Sequence, residues 1–173
     1  MRKPIVIAVL TISVAAAALA QQAAPEWSPY RSAEGKYSIL FPGKPALSSQ
    51  EITLADGVKA TQYMAITTAG GAAYSVMHTS GIRAYDFNKG RDSILANINA
   101  RLLSERNVSL GGHPGREMKA NGEVRGRRFF TAIRVYHVRN IAYVLQYIQP
   151  MPAGPEIPAN AQKCFDSFRV TTR

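Results

Sequence analysis

Apolar residues recur along this chain in three rhythms, and each predicts a different element. From Lys36 the period is two: Tyr37, Ile39 and Phe41 share one face of a short strand that Pro42-Gly43 ends. Alternation resumes over residues 48–54, 58–67 and 73–79. Asp56-Gly57 and Gly70-Gly71 separate these runs, and such pairs suit hairpin turns because both central residues take positive φ. Four strands joined by tight turns predict an antiparallel meander.

A helical period follows. Ile94, Leu95, Ile98 and Leu102 predict an amphipathic helix over 91–106, with Asn97, Arg101 and Glu105 outward. Asn88 or Asp92 would cap its start and Asn107 would close its end. Residues 111–115 read as a glycine-rich loop. Residues 116–120, the turn Asn121-Gly122 and residues 123–138 predict a second hairpin, and Arg139-Asn140 turns into a strand over 141–149. After a proline-rich loop, Ala161, Cys164, Phe165 and Phe168 form the apolar stripe of a final helix. The expected class is α+β, an antiparallel sheet of about seven strands with two packed helices. One domain would span 36–173, with 21–35 as a leader in which Trp27 and Tyr30 touch the domain edge.

The third rhythm is a mainly apolar run from Ile5 to Leu19, preceded by Arg2 and Lys3 and closed by Ala18-Leu19-Ala20. That is the layout of a secretory signal peptide cleaved after Ala20. The run is shorter than the ~20 residues that span a bilayer, and no cysteine follows to carry a lipid. The expected location is the periplasm or outside the cell, with no transmembrane segment after cleavage. Cleavage leaves 153 residues and lowers the net charge from +10 to +8. The single cysteine, Cys164, excludes an internal disulfide, and its place in the helical stripe makes it a core residue.

The positive excess favours anionic partners. It is densest in the second hairpin, where Arg116, Lys119, Arg125, Arg127, Arg128, Arg134 and Arg139 face only Glu117 and Glu123. The arginine fork suits phosphate and carboxylate. Arg116, Arg125, Arg127, Arg128 and Arg134 are therefore the expected binding residues, for an envelope protein, an anionic cell-surface polymer or a lipid headgroup. The competing account is an edge kept from aggregating by its charge. Arg125-Gly126-Arg127-Arg128 beside Phe129-Phe130 mixes basic and aromatic residues as single-strand binders do. An exported chain seldom meets nucleic acid, however, and strand packing accounts for the phenylalanines.

Catalytic signatures are sparse. His78, His113 and His137 lie far apart without the short spacings of zinc ligands. The sequence contains no nucleophile elbow, phosphate loop or dinucleotide fingerprint. The nearest alternative to a binding domain is a small hydrolase or transferase centred on His113 and Glu117, with Arg116 between them. No cofactor and no metal is expected.

Three segments carry a family likeness: Tyr37-Ser38-Ile39-Leu40-Phe41-Pro42-Gly43-Lys44-Pro45, Gly112-His113-Pro114-Gly115-Arg116-Glu117 leading to Arg125-Gly126-Arg127, and Phe165-Asp166-Ser167-Phe168-Arg169. With the order of hairpins and helices, they resemble the Mog1/PsbP fold as found in exported bacterial domains, over most of residues 36–170. The resemblance implies an antiparallel sheet with helices packed on it and a role in binding or assembly rather than catalysis. It carries over no site residue.

Overall fold

The structure, a computed structural model, describes residues 25–54, 57–152 and 156–171. The signal-peptide segment and Asp56 lie outside the described residues. Among the described residues, ten strands and two helices form an α+β fold. In chain order they are β1 (Trp27–Ser32), β2 (Tyr37–Pro42), β3 (Ala46–Thr53), β4 (Lys59–Ala69), β5 (Ala72–Ser80), α1 (Phe87–Asn97), β6 (Ala100–Leu110), β7 (His113–Val124), β8 (Arg127–Val138), β9 (Ile141–Pro150), α2 (Ala159–Asp166) and β10 (Arg169–Val170). An antiparallel seven-stranded sheet runs β3-β4-β5-β9-β8-β7-β6, and β1-β2-β10 make a second, three-stranded sheet. No described helix is long and apolar enough to cross a membrane.

The two helices lie on opposite faces of the large sheet. On β8, Phe130, Ala132, Tyr136 and Val138 join the cluster that contains Ala161, Cys164 and Phe165 of α2. Ile133 and Val135 join the cluster that receives Phe87, Ile94 and Ile98 from the other side. Successive strand residues point to opposite faces, so this alternation places α1 and α2 across the sheet from one another. The small sheet packs on the α2 side, where Tyr37, Ile39 and Phe41 are almost wholly buried.

Several local expectations are corrected. Part of the expected leader is β1, paired along its length with β2. The strand at residues 37–42 does not open the meander. Its alternate residues are so apolar that they bury as a separate layer, and Gly43, at φ 111°, starts the crossing into the large sheet. The helix expected over 91–106 begins earlier, where Asp86 accepts from the N–H groups of Asn88 and Lys89. It ends at Asn97, and Asn99 adopts φ 48° before β6 starts. Asn107 is therefore mid-strand. The helical spacing that included Leu102 misled because β6 returns Leu102 to the same cluster that Ile94 and Ile98 fill from α1.

The second hairpin also turns elsewhere. Asn121-Gly122 lies inside β7, and the turn is Arg125-Gly126, at φ 51° and 76°. Gly122 is needed because the Phe129 ring covers it; a Cβ there would stand 2.3 Å from a ring carbon. The loop expected at 111–115 shrinks to Gly111-Gly112, and Gly115 is a strand residue beneath the Tyr136 ring. The turns at Gly70-Gly71 and Arg139-Asn140, the buried Ala161–Phe168 stripe and the strand at 141–149 stand as expected.

Candidate functional groove and its basic rim

The cations of the second hairpin divide into two groups. Arg116, Lys119 and Arg134 are engaged inside the molecule. Arg134 lies between β7 and α2: its Nε donates to Glu117 at 2.6 Å, its Nη1 donates to Asp166 at 2.8 Å, and its guanidinium lies over the Phe165 ring. Glu117 also accepts from Arg106 at 2.6 Å, so Arg106, Glu117 and Arg134 form a rung across three strands. Burial alone would raise the Glu117 pKa, but the hydrogen bonds from Arg106 and Arg134 outweigh it and hold the carboxyl below its ordinary range. On the other face Arg116 donates to Glu105, which also accepts from Arg91 of α1, and stacks over Phe87. Lys119 reaches Glu156 at 2.9 Å.

Arg134 and Arg116, two of the expected binding residues, are thus each ion-paired within the fold. The carboxylates that claim them come from other parts of the chain. With Arg134's side chain only 8% exposed, its charge is held by partners rather than offered to solvent.

Arg125, Arg127 and Arg128 are exposed, and none forms an ion pair among the described residues. Together they rim a groove of about 900 Å³ at one end of the large sheet. Its far wall is the β4–β5 turn at Gly70-Gly71, and its floor is apolar, with Val124, Phe129, Ile148 and Pro150. Strand order explains the juxtaposition. Antiparallel neighbours put alternate turns at the same end, so the β4–β5 and β7–β8 turns flank the last residues of β9. Arg125 sits in the turn itself rather than on a strand face. Arg127 shares the sheet face of Phe129 and Ile148, while Arg128 alternates to the face of Glu123. Arg125 and Arg127 are therefore the forked cations beside the apolar bed, a combination that holds an anion joined to a nonpolar body.

Sequence reasoning reached the rim but missed the floor. Gly70-Gly71 was legible as a turn, yet the hydrophobic pattern does not state which strand lies between it and the basic hairpin.

The alternative centre does not assemble. His113 and Glu117 lie four residues apart on β7, about 13 Å at strand rise. Glu117 is sealed beneath its two arginines. His113 lines a cleft of only about 180 Å³ at the opposite end, beside Val138, Arg139 and Arg169, and none of its lining residues is a hydroxyl, thiol or carboxylate. Cys164 is buried in the core, which pushes its thiol up to about 12 and leaves it inert at neutral pH.

The histidines go three ways. His137 Nε2 lies 2.8 Å from the Ile82 carbonyl oxygen and its ring stacks on Tyr85. His78 is buried against Tyr37, Tyr63 and Tyr143, and neither ring nitrogen has a hydrogen-bond partner among the described residues. Burial lowers its pKa from the ordinary 6.5, and nearby Glu34 opposes this only in part. The unfolded chain therefore binds the extra proton first, and stability falls as the pH drops below about 6.5 towards the depressed folded value. Urea midpoints measured between pH 7 and 5 should decline for the wild type and decline less for His78→Phe. Equal slopes would exclude His78 as the cause.

No protein-family model matches the chain, and comparison with curated proteins finds no match. Solved structures do match. The solution structure of cyanobacterial PsbP (CyanoP) from Synechocystis sp. PCC 6803 superposes with TM-score 0.56 at 12% identity, covering 84% of this chain and 93% of that one. The chain has the PsbP-like fold that the sequence resemblance implied. A crystal structure from Bacteroides thetaiotaomicron VPI-5482 matches at TM-score 0.48 and 14% identity over 83% of this chain. The T6SS immunity protein TplEi of Pseudomonas aeruginosa, complexed with an "L" peptide, matches at 0.45 and 16% over 66%. This chain covers about half the length of each of the latter two, 48% and 49%.

Proposed function

We propose that this is an exported, non-catalytic binding domain whose groove holds an anionic component of the cell envelope, a lipid headgroup or a charged polymer, against Arg125, Arg127 and Arg128. The observation that carries the proposal is the partition of the arginines. In the second hairpin Arg116 and Arg134 are neutralised by internal carboxylates, whereas Arg125, Arg127 and Arg128 make no ion pair among the described residues and line a groove of about 900 Å³. Exposed guanidinium groups with no carboxylate partner among the described residues leave their charge to be answered by an anion from outside. The apolar bed beneath them favours a ligand that is not a bare ion. The amino-terminal layout of charged, apolar and small residues supports export to where such polyanions are found.

The test uses sedimentation with phosphatidylglycerol vesicles, with phosphatidylcholine vesicles as the neutral control. Arg125→Glu with Arg127→Glu should weaken binding at least tenfold at low salt and flatten its salt dependence. Arg139→Glu, at the opposite end of the sheet, should leave binding nearly unchanged and so separate the groove from mere net charge. Unaltered sedimentation of the double variant would refute the assignment.

A further inference from the structure

The two edges of the large sheet are treated differently by the sequence. β6 is guarded in the usual ways: it carries Arg101, Glu105 and Arg106, and its register slips between Leu102 and Ser104. β3 has neither protection. It is the outermost strand, its eight residues are exposed or half-exposed, and it pairs with β4 without a register shift. It contains no proline and no cation, although the chain has 21 lysines and arginines. Its one charge, Glu51, is answered by Lys59 of β4 at 2.7 Å, and Leu47 stands 64% exposed.

The hydrogen-bond phase of this edge can be read from its hairpin. The Leu54 N–H donates to the Val58 carbonyl at 2.8 Å, so the backbone of Leu54 faces β4. Alternation along the register then turns Ile52, Gln50 and Ser48 towards β4. Leu47, Ser49, Glu51 and Thr53 direct their N–H and C=O groups away from it. These four residues are a template for one more antiparallel strand.

We propose that the added strand is β3 of a second copy, so that two chains join their sheets across a two-fold axis. Charge selects this occupant. Two mature chains of net charge +8 repel wherever their basic surfaces meet, and β3 is a long edge along which they approach without opposing cations on the strand itself. Symmetry selects the register. A two-fold axis normal to the sheet keeps each face on its own side, so facing residues must have the same parity. With Gln50 on the axis, Leu47 meets Thr53 of the second copy and Ser49 meets its Glu51. All four outward-facing residues are then used, and neither Glu51 opposes the other.

Analytical ultracentrifugation of the mature chain over a range of concentrations should show a monomer–dimer equilibrium. Ser49→Pro removes an outward N–H that makes no bond to β4, so this variant should keep the wild-type melting temperature and sediment as a monomer. Gln50→Cys places two thiols across the axis, where non-hydrogen-bonded partners stand about 4.5 Å apart, and should form a covalent dimer on mild oxidation. Adding Ser49→Pro to Gln50→Cys should abolish that crosslink. A wild-type chain that remains monomeric at every concentration, or a dimer that survives Ser49→Pro, would overturn the proposal.

Discussion

Glu117→Ala should destabilise the fold by about 3–5 kcal/mol, the cost of breaking a buried ion pair from one side. Glu117 is almost wholly buried and accepts from two guanidinium groups, and Arg134 is nearly as buried. Without Glu117, the carboxylate left to Arg134 among the described residues is Asp166, whose side chain is 58% exposed and whose pull is weakened by solvent. The partners should not respond alike. Arg106 is 65% exposed, so Arg106→Ala should cost under about 1 kcal/mol. Replacing Glu117 and Arg134 together by apolar residues of similar volume should recover much of the loss, because the stranded charge leaves with its partner. Urea denaturation of the single and double variants gives the coupling directly, and a Glu117→Ala loss below about 1 kcal/mol would contradict the rung. Its pH dependence follows from the lowered carboxyl pKa. The contribution is complete above the ordinary value of 4.5 and is lost as the pH falls from there through the folded value. This window lies below the one assigned to His78, so the two acid effects separate on a pH titration.

Phe168→Ala should cost a similar amount, about 3–5 kcal/mol. Phe168 is fully buried just beyond α2 and touches rings from three elements. Its ring lies nearly parallel to that of Tyr136 on β8, with centroids 6.1 Å apart. It meets Tyr143 of β9 and Tyr37 of β2, each at 5.4 Å. Truncation opens a cavity where the large sheet, the small sheet and the end of α2 converge. Rigid aromatic walls on three sides limit the collapse that would otherwise soften the loss. Phe168→Leu, which fills most of the space, should lose markedly less. The urea midpoint should fall with the slope unchanged, and a loss below about 1 kcal/mol would show that the site collapses after all.

Both residues were visible in the sequence, but with unequal content. Phe168 was legible because a helical stripe needs only local spacing, and Ala161, Cys164 and Phe165 continue it. Glu117 was noticed only as the neighbour of His113, since nothing in the local pattern says that Arg106 and Arg134 flank it. The same gap explains the misplaced turn. Asn121-Gly122 has the composition of a hairpin, yet Gly122 serves as space for Phe129, and the left-handed positions went to Arg125-Gly126. At the groove, the basic rim was legible as composition, while the Gly70-Gly71 wall and the Ile148 and Pro150 part of the floor come from other parts of the chain.

By itself the sequence determined the class of fold, the alternating strands, most of the tight turns and the buried stripe of the final helix. Each depends on periodicity or on the φ preference of one or two residues. Only the tertiary structure decided that β2 leaves the meander, that the helices take opposite faces, and which arginines remain unpaired. Those outcomes depend on carboxylates and rings remote in the chain: Arg134 finds Glu117 and Asp166 at separations of 17 and 32 residues. A cation's availability is set by the partners that folding brings to it, and local pattern carries no record of them.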